Sequence, residues 1–176
     1  MPAALCGAKS YPPAMEIYRV IYTSTAVRAC GPAEFDRLLT QARIYNYSMG
    51  ISGLLLRAGM QFLHLLEGPP AAVAELYERI AHDPRHHHVE TLERATVRRL
   101  LLPHAILAFA EVEPVNLARL TAYLVPQHRR ALLPLAYDEQ EVIADLLLEF
   151  VELHCPHLLA LPGDGPASRP QRSQHV

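Results

Sequence analysis

The run Gln61-Phe-Leu-His-Leu-Leu-Glu67 places one imidazole, His64, among leucines, where a proton donor and a proton acceptor are available on one rigid ring. In an extended segment Gln61 and His64, three residues apart, point to opposite faces and cannot serve the same site. Further along, His86-His87-His88 invites a metal reading. Adjacent residues point in different directions, however, and no Cys or acidic cluster accompanies them, so the run reads as a solvated turn with one member free to meet a ligand. Glu67 and Glu90 are candidate acid–base groups, although a lone carboxylate at a strand end reads first as the partner of a helix start. No GxSxG, HExxH, Walker or GxGxxG pattern supports a hydrolase, a zinc protease or a classical nucleotide fold, and neither an enzymatic activity nor a metal is assigned.

These residues must be carried by a chain of 176 residues, long enough for one domain with a real core and a modest appendage. Hydrophobic residues make up 51%, charged residues 19%, and the formal net charge is −2, which gives nucleic acid no basic field to bind. Lys9 is the only lysine, an imbalance attributed to base composition. Cys6, Cys30 and Cys155 are odd in number and far apart, which suits a reducing compartment and hence the cytoplasm. Residues 1–15 lack the apolar core of a signal peptide, and no later segment is apolar enough to span a membrane. That leader is expected to be disordered, with Met1 or Met15 as the start, and so is the Gly-, Pro- and Ser-rich tail 161–176.

Between them, alternation over Glu16 to Ser24 predicts a central strand. Gly31-Pro32 then opens a helix with Phe35, Leu38, Leu39, Ala42 and Tyr45 on one stripe, ending near Asn46. "GISGLLLR" and "QFLHLLE" flank a turn at Ala58-Gly59, the pattern of a hairpin. Pro69 and Pro70 open a second helix with Val73, Leu76, Tyr77 and Ile80 inward, closed by Asp83-Pro84. "HVETLERATVRR" and "AILAFAEV" supply a fourth and a fifth strand. The order βαββαββ predicts an α+β, ferredoxin-like fold: a five-stranded antiparallel sheet with two helices on one face. Two C-terminal helices follow, from about Val115 to Val125 and from about Asp138 to His154. The second carries Val142, Ile143, Leu146, Leu147, Phe150, Val151 and Leu153, a surface wide enough to cap the open face of the sheet or to form a dimer contact. The expected division is a domain over 16–112 and a helical cap or interaction segment over 113–160.

Five motifs in order, "VIYTSTA", "NYSMGISGLLL", "FLHLLEGPP", "LYERIAHDPRHHHVETL" and "RRLLLPHAILAF", resemble those of the BLUF family, blue-light sensors that use FAD. The resemblance covers about residues 16 to 112. It implies a flavin ring held between the two helices against the central strands. Tyr22 falls at the family's photochemical tyrosine, which gives an electron and a proton to the excited flavin, and a core tyrosine with a satisfied hydroxyl is its structural alternative. Asn46 falls at the asparagine that hydrogen-bonds the flavin's pyrimidine edge, an amide offering donor and acceptor together, although an Asn here could equally cap its helix. Arg85 and His86 match residues at the ring's polar edge and the dinucleotide side, with a solvated loop as the alternative.

Two positions depart from the family pattern. His64 stands where the family has its key glutamine, whose amide lets two hydrogen-bonding arrangements lie close in energy. Leu107 stands where a methionine is usual, keeping volume without the polarisable sulfur, and the chain has no Trp. Together Tyr22, His64 and Leu107 form the photochemical set, and Tyr22, Asn46, His64, Arg85 and His86 the cofactor-binding set. The resemblance therefore implies a flavin-binding sensory protein with an impaired or atypical light response. Its signal would reach a downstream regulatory protein through a homo-oligomer or a docked partner, without direct contact with nucleic acid or membrane. The rival reading is a flavin-free interaction module on the same fold, in which side chains fill the old pocket.

Overall fold

A computed structural model describes residues 16–125 and 139–159, so the expectations for the leader 1–15 and the tail 161–176 lie outside the described residues. The described elements run β1 (Ile17–Ala26), α1 (Pro32–Met49), β2 (Ser52–Ala58), β3 (Gln61–Gly68), α2 (Pro70–Ala81), β4 (His86–Val97), β5 (Ala108–Glu111), α3 (Pro114–Leu124) and α4 (Glu139–His154), with a short 3-10 turn at Pro156–Leu158. The strands form one sheet in the order β4-β1-β3-β2-β5.

Proline and glycine punctuate the first helix as their backbone chemistry requires. Pro32 occupies its first turn, where a missing N–H costs nothing. Gly50 ends it at φ 66°, its N–H turned back to the carbonyls of Asn46 and Tyr47. This left-handed cap swings the chain directly into β2.

Alternation along the strands sends side chains to two cores. On one face Val20, Tyr22 and Leu66 pack with Val73 and Tyr77 of α2, while Phe62 and Leu107 pack with Phe35 and Leu39 of α1. On the other, Ile21, Leu54, Leu56, Leu63 and Leu65 meet Leu117, Leu120 and Leu124 of α3 and Ile143, Leu147 and Val151 of α4. The fold is therefore α+β and ferredoxin-like, with α3 and α4 covering the face that a bare sandwich would leave open.

Two sequence expectations need correction. The sheet is mixed: β1, β3, β2 and β4 pair antiparallel, but β5 runs parallel to β2. The cause is geometric. β4 and β5 are the two edges, and the connection 98–107 crosses the end of the sheet where β2 begins, so β5 starts beside the start of β2 and runs with it. Much of the predicted fifth strand is spent on that crossing, leaving only Ala108–Glu111 in the ladder. The histidine run is also no turn, since His86 and His87 pair with Ala26 and Thr25 at the start of β4. His88, at φ 50°, sits at a register irregularity there.

If α4 caps the sheet, its two faces must differ in energy. Leu147 is fully buried and Leu153 is 72% exposed. Leu147→Ala should cost about 2–5 kcal/mol in urea unfolding, whereas Leu153→Ala should change stability by less than about 0.5 kcal/mol.

Candidate functional site

Adjacent central strands bring the two main site residues together. Tyr22 of β1 and His64 of β3 are direct cross-strand partners on the face covered by α1 and α2. The tyrosine hydroxyl lies 2.7 Å from His64 Nδ1, and His64 Nε2 is shielded from solvent with no hydrogen-bond partner among the described residues. Tyr77 meets the Tyr22 ring edge-on at 5.2 Å and fixes its tilt.

Counting donors decides the direction of this bond. The bond to His64 is the one hydrogen bond of the Tyr22 hydroxyl among the described residues. If tyrosine donates into Nδ1, only one buried group, the Nε2–H, is left unpaired. The reverse tautomer would strand both the phenolic proton and the Nε2 lone pair. An unmet buried donor is expensive, so the first arrangement wins, and it leaves an N–H donor on a ring that lines the adjoining space.

That space is a cavity of about 350 Å³ between the sheet, α1 and the turn after α2. Its walls are mostly apolar, including Phe35, Leu39, Leu55, Phe62, Ile80 and Leu107, and Arg28, Glu34, Asp83, Arg85 and His86 stand among the polar members of its lining. A few polar groups converging on an apolar hollow is the usual make-up of a small-molecule site, and the volume is at the lower end of that class. Phe35 is the keystone of one wall, stacked on Phe62 at 6.2 Å and tilted against Phe109 at 5.0 Å, with the Arg57 guanidinium 4.5 Å over its ring.

The structure brings five of the six predicted residues to this cavity: Tyr22, His64, Arg85, His86 and Leu107. The sixth, Asn46, is buried but stands behind the wall, its Nδ2 donating at 3.4 Å to the carbonyl of Ile106. Arg85 is bound to Asp83 through its guanidinium and its backbone N–H, which holds the Asp83 carboxyl down at about 2. His86 Nδ1 is 3.3 Å from the Ser24 hydroxyl, and its ring meets Phe62 edge-on. Burial lowers its pKa, with Asp83 opposing the change.

Polar residues given another role in the sequence, or none, complete the frame. Glu67 is not a helix-start partner. It is fully buried, takes a hydrogen bond from Arg19 Nε at 2.6 Å and another from the Leu101 N–H at 2.7 Å. The Ser52 hydroxyl lies 2.9 Å and 2.7 Å from the carbonyls of Leu102 and Ala105, sharing its one proton between them. A signal for the ion pair existed: Arg19 and Glu67 are opposite charges set among the apolar residues of two predicted strands, the first of which reads as central. Glu90 is exposed and belongs to a groove on the far face, and no group of three or more His, Cys, Asp or Glu among the described residues could hold a metal.

Burial sets the protonation of the central pair. It raises the Tyr22 pKa, with Tyr77 adding to the effect, and pushes His64 down to about 3, reinforced by His86. His64 is therefore neutral, as the tautomer requires. A folded-state pKa depressed below the ordinary 6.5 gives stability that is complete above that value and is lost as pH falls toward 3. Between pH 7 and pH 5 the loss should be on the order of 2 kcal/mol in urea unfolding, and His64→Gln should remove that part of the slope.

With this geometry in place, comparison with known proteins gives consistent results. The sequence model of one family, described as "Sensors of blue-light using FAD", matches residues 17–103. The photoactivated adenylate cyclase subunit beta of Euglena gracilis is 35% identical over 82 residues, covering 47% of this chain and 10% of the cyclase. The blue light- and temperature-regulated antirepressor BluF of Escherichia coli K12 is 34% identical over 59 residues, covering 34% of this chain and 15% of the antirepressor. The chain thus spans about a tenth of the length of the first of these relatives. Among solved structures, that of BlrB, a BLUF protein in its dark state, superposes with a TM-score of 0.57 at 22% identity, covering 80% of this chain and 98% of BlrB, which supports the shared fold. Through residues 17–103 the chain belongs to the BLUF family, the sensors of blue light using FAD.

Proposed function

We propose that this protein binds FAD in the cavity beside Tyr22 and His64 and serves as a sensory or regulatory protein whose response to blue light is impaired or atypical. The observation that carries the reading is the His64 imidazole in the lining of an apolar hollow, joined through Nδ1 to the Tyr22 hydroxyl, with its Nε2 shielded from solvent and without a hydrogen-bond partner among the described residues. An orphaned donor there calls for a ligand acceptor, and the carbonyl and aza groups of a flavin ring are of the right kind.

In this reading the apolar wall of Phe35, Leu39, Leu55, Phe62 and Leu107 takes the flat ring and excludes water. Arg28 and Arg85, at the rim, would face the charged dinucleotide portion. Bound flavin would supply a chromophore excited by blue light and able to accept an electron. Tyr22 is the donor placed to give up an electron, with its proton aimed at His64 Nδ1. Asn46 would reach the ring only by exchanging its bond to Ile106 for one to the ligand.

Reversing the hydrogen bonds at this wall requires the Nε2 proton to leave and another to arrive at Nδ1. A glutamine amide reverses by rotating in place. His64 therefore holds the site in one polarity, and Leu107 adds no polarisable sulfur to ease a change.

A cytoplasmic regulator is consistent with the unpaired thiols of Cys30 and Cys155, and no helix among the described residues is long and apolar enough to cross a membrane. Output would pass through α4, by homodimerisation or by docking a regulatory protein, a role in keeping with the antirepressor named among its relatives.

The test is an absorption spectrum of the full chain reconstituted with excess FAD, in the dark and under blue light, beside His64→Gln. Both proteins should bind flavin, and only the variant should show a reversible red shift. A shift of equal size in the unmodified protein would refute the impaired response. Failure of both to retain FAD would instead favour the interaction module.

A further inference from the structure

We infer that Glu67 is a positioning residue for the cavity: from the opposite face of the sheet it fixes the segment 101–107 and so sets the depth at which Leu107 stands in the cavity wall. The inference rests on reading that cavity as a ligand site. It goes beyond that reading by giving a role to a residue that touches neither Tyr22 nor His64.

The segment 101–107 makes no strand or helix, yet Leu101, Leu102 and Leu107 are buried. Its backbone must therefore find partners outside a regular ladder. Side chains supply them at successive points. Glu67 accepts from the Leu101 N–H, and Ser52 serves the carbonyls of Leu102 and Ala105. Asn46 and Arg43 of α1 donate to the carbonyls of Ile106 and Leu107, at 3.4 and 3.3 Å. The crossing is thus held at its entry from the α3/α4 face and at its exit from the α1 face.

Glu67 and Ser52 are cross-strand partners on β3 and β2, so the clamp at the entry is one rigid unit. Glu67 owes its own aim to Arg19, its cross-strand partner on the other side. A buried ion pair is a poor source of stability compared with apolar packing, and leucines fill the neighbouring core-facing positions. What leucine could not provide is a fixed acceptor for the Leu101 N–H. At the far end Leu107 has little room to drift. A Cβ on Gly53 would lie 3.2 Å from Leu107 Cδ1 and 3.0 Å from the carbonyl oxygen of Leu65, so the side chain is seated closely on β2 at the one residue that admits it.

Two double variants avoid stranding a buried charge. Arg19→Met with Glu67→Gln, the amide variant, keeps a carbonyl acceptor for Leu101. Arg19→Met with Glu67→Leu, the apolar variant, removes it at similar volume. Leu107 packs with Phe35 and Phe62, so ring currents mark its methyl resonances, which can be followed by NMR in protein without flavin. In the apolar variant the Leu107 methyl signals should move while those of Leu124, at the far end of the sheet, stay, and the amide variant should restore them. The apolar variant should also bind FAD about tenfold more weakly than the amide variant. Unmoved Leu107 signals, an equal disturbance in both variants, or equal FAD affinity despite moved signals would overturn the inference. Moved signals with no FAD bound by any form, the unmodified chain included, would leave the positioning role standing and refute the flavin reading.

Discussion

The register between β1 and β3 is the constraint on which the rest of this molecule depends. The same ladder pairs Tyr22 with His64 and Arg19 with Glu67. Because the members of each strand's pair are three residues apart, the two contacts fall on opposite faces. One is the hydrogen bond at the candidate ligand site, and the other is the buried ion pair beneath the crossing segment. A slip of β3 by one residue would exchange its faces, burying the imidazole under α3 and α4 and turning the Glu67 carboxylate toward the cavity. The leucines at 63, 65 and 66 and the isoleucine at 21 hold the register by having nowhere else to go.

From that ladder the site follows by short steps. β3 fixes His64, the hairpin partner β2 brings Leu55 and Gly53 beside it, and Gly53 lets Leu107 lie close. α1 and α2 roof the same face, with the hollow between α1 and the turn after α2. What is unusual is the chemistry set into this frame. A neutral, half-buried imidazole bonded to Tyr22 gives the wall a single polarity, whereas the frame around it is that of a family of light sensors.

Much of this was legible in the sequence because it is local. The order of strands and helices and the placement of His64 and Gln61 on opposite faces follow from periodicity and punctuation, as does the wide apolar surface of the last helix, which left a cap over the sheet and a dimer contact both open. Gln61 does line the groove of the far face, with Thr23 and Thr25. What stayed hidden is non-local. Arg19 and Glu67 are 48 residues apart and signal each other only as charges in core-facing positions. The parallel β5 depends on where the crossing segment runs, which no periodicity encodes. The family resemblance makes Asn46 a ligand contact, but its observed partner, the carbonyl of Ile106, lies in that same crossing segment.

The direction of the Tyr22–His64 hydrogen bond is the centre of the account, and nitrogen-15 NMR of the His64 imidazole, in the full chain at neutral pH with and without FAD, measures it directly. The account requires a neutral ring with the proton on Nε2 and a lone pair on Nδ1 in both states. A proton on Nδ1 with Nε2 bare, or a doubly protonated ring, would contradict it and would mean that the cavity wall presents the opposite polarity or a charge.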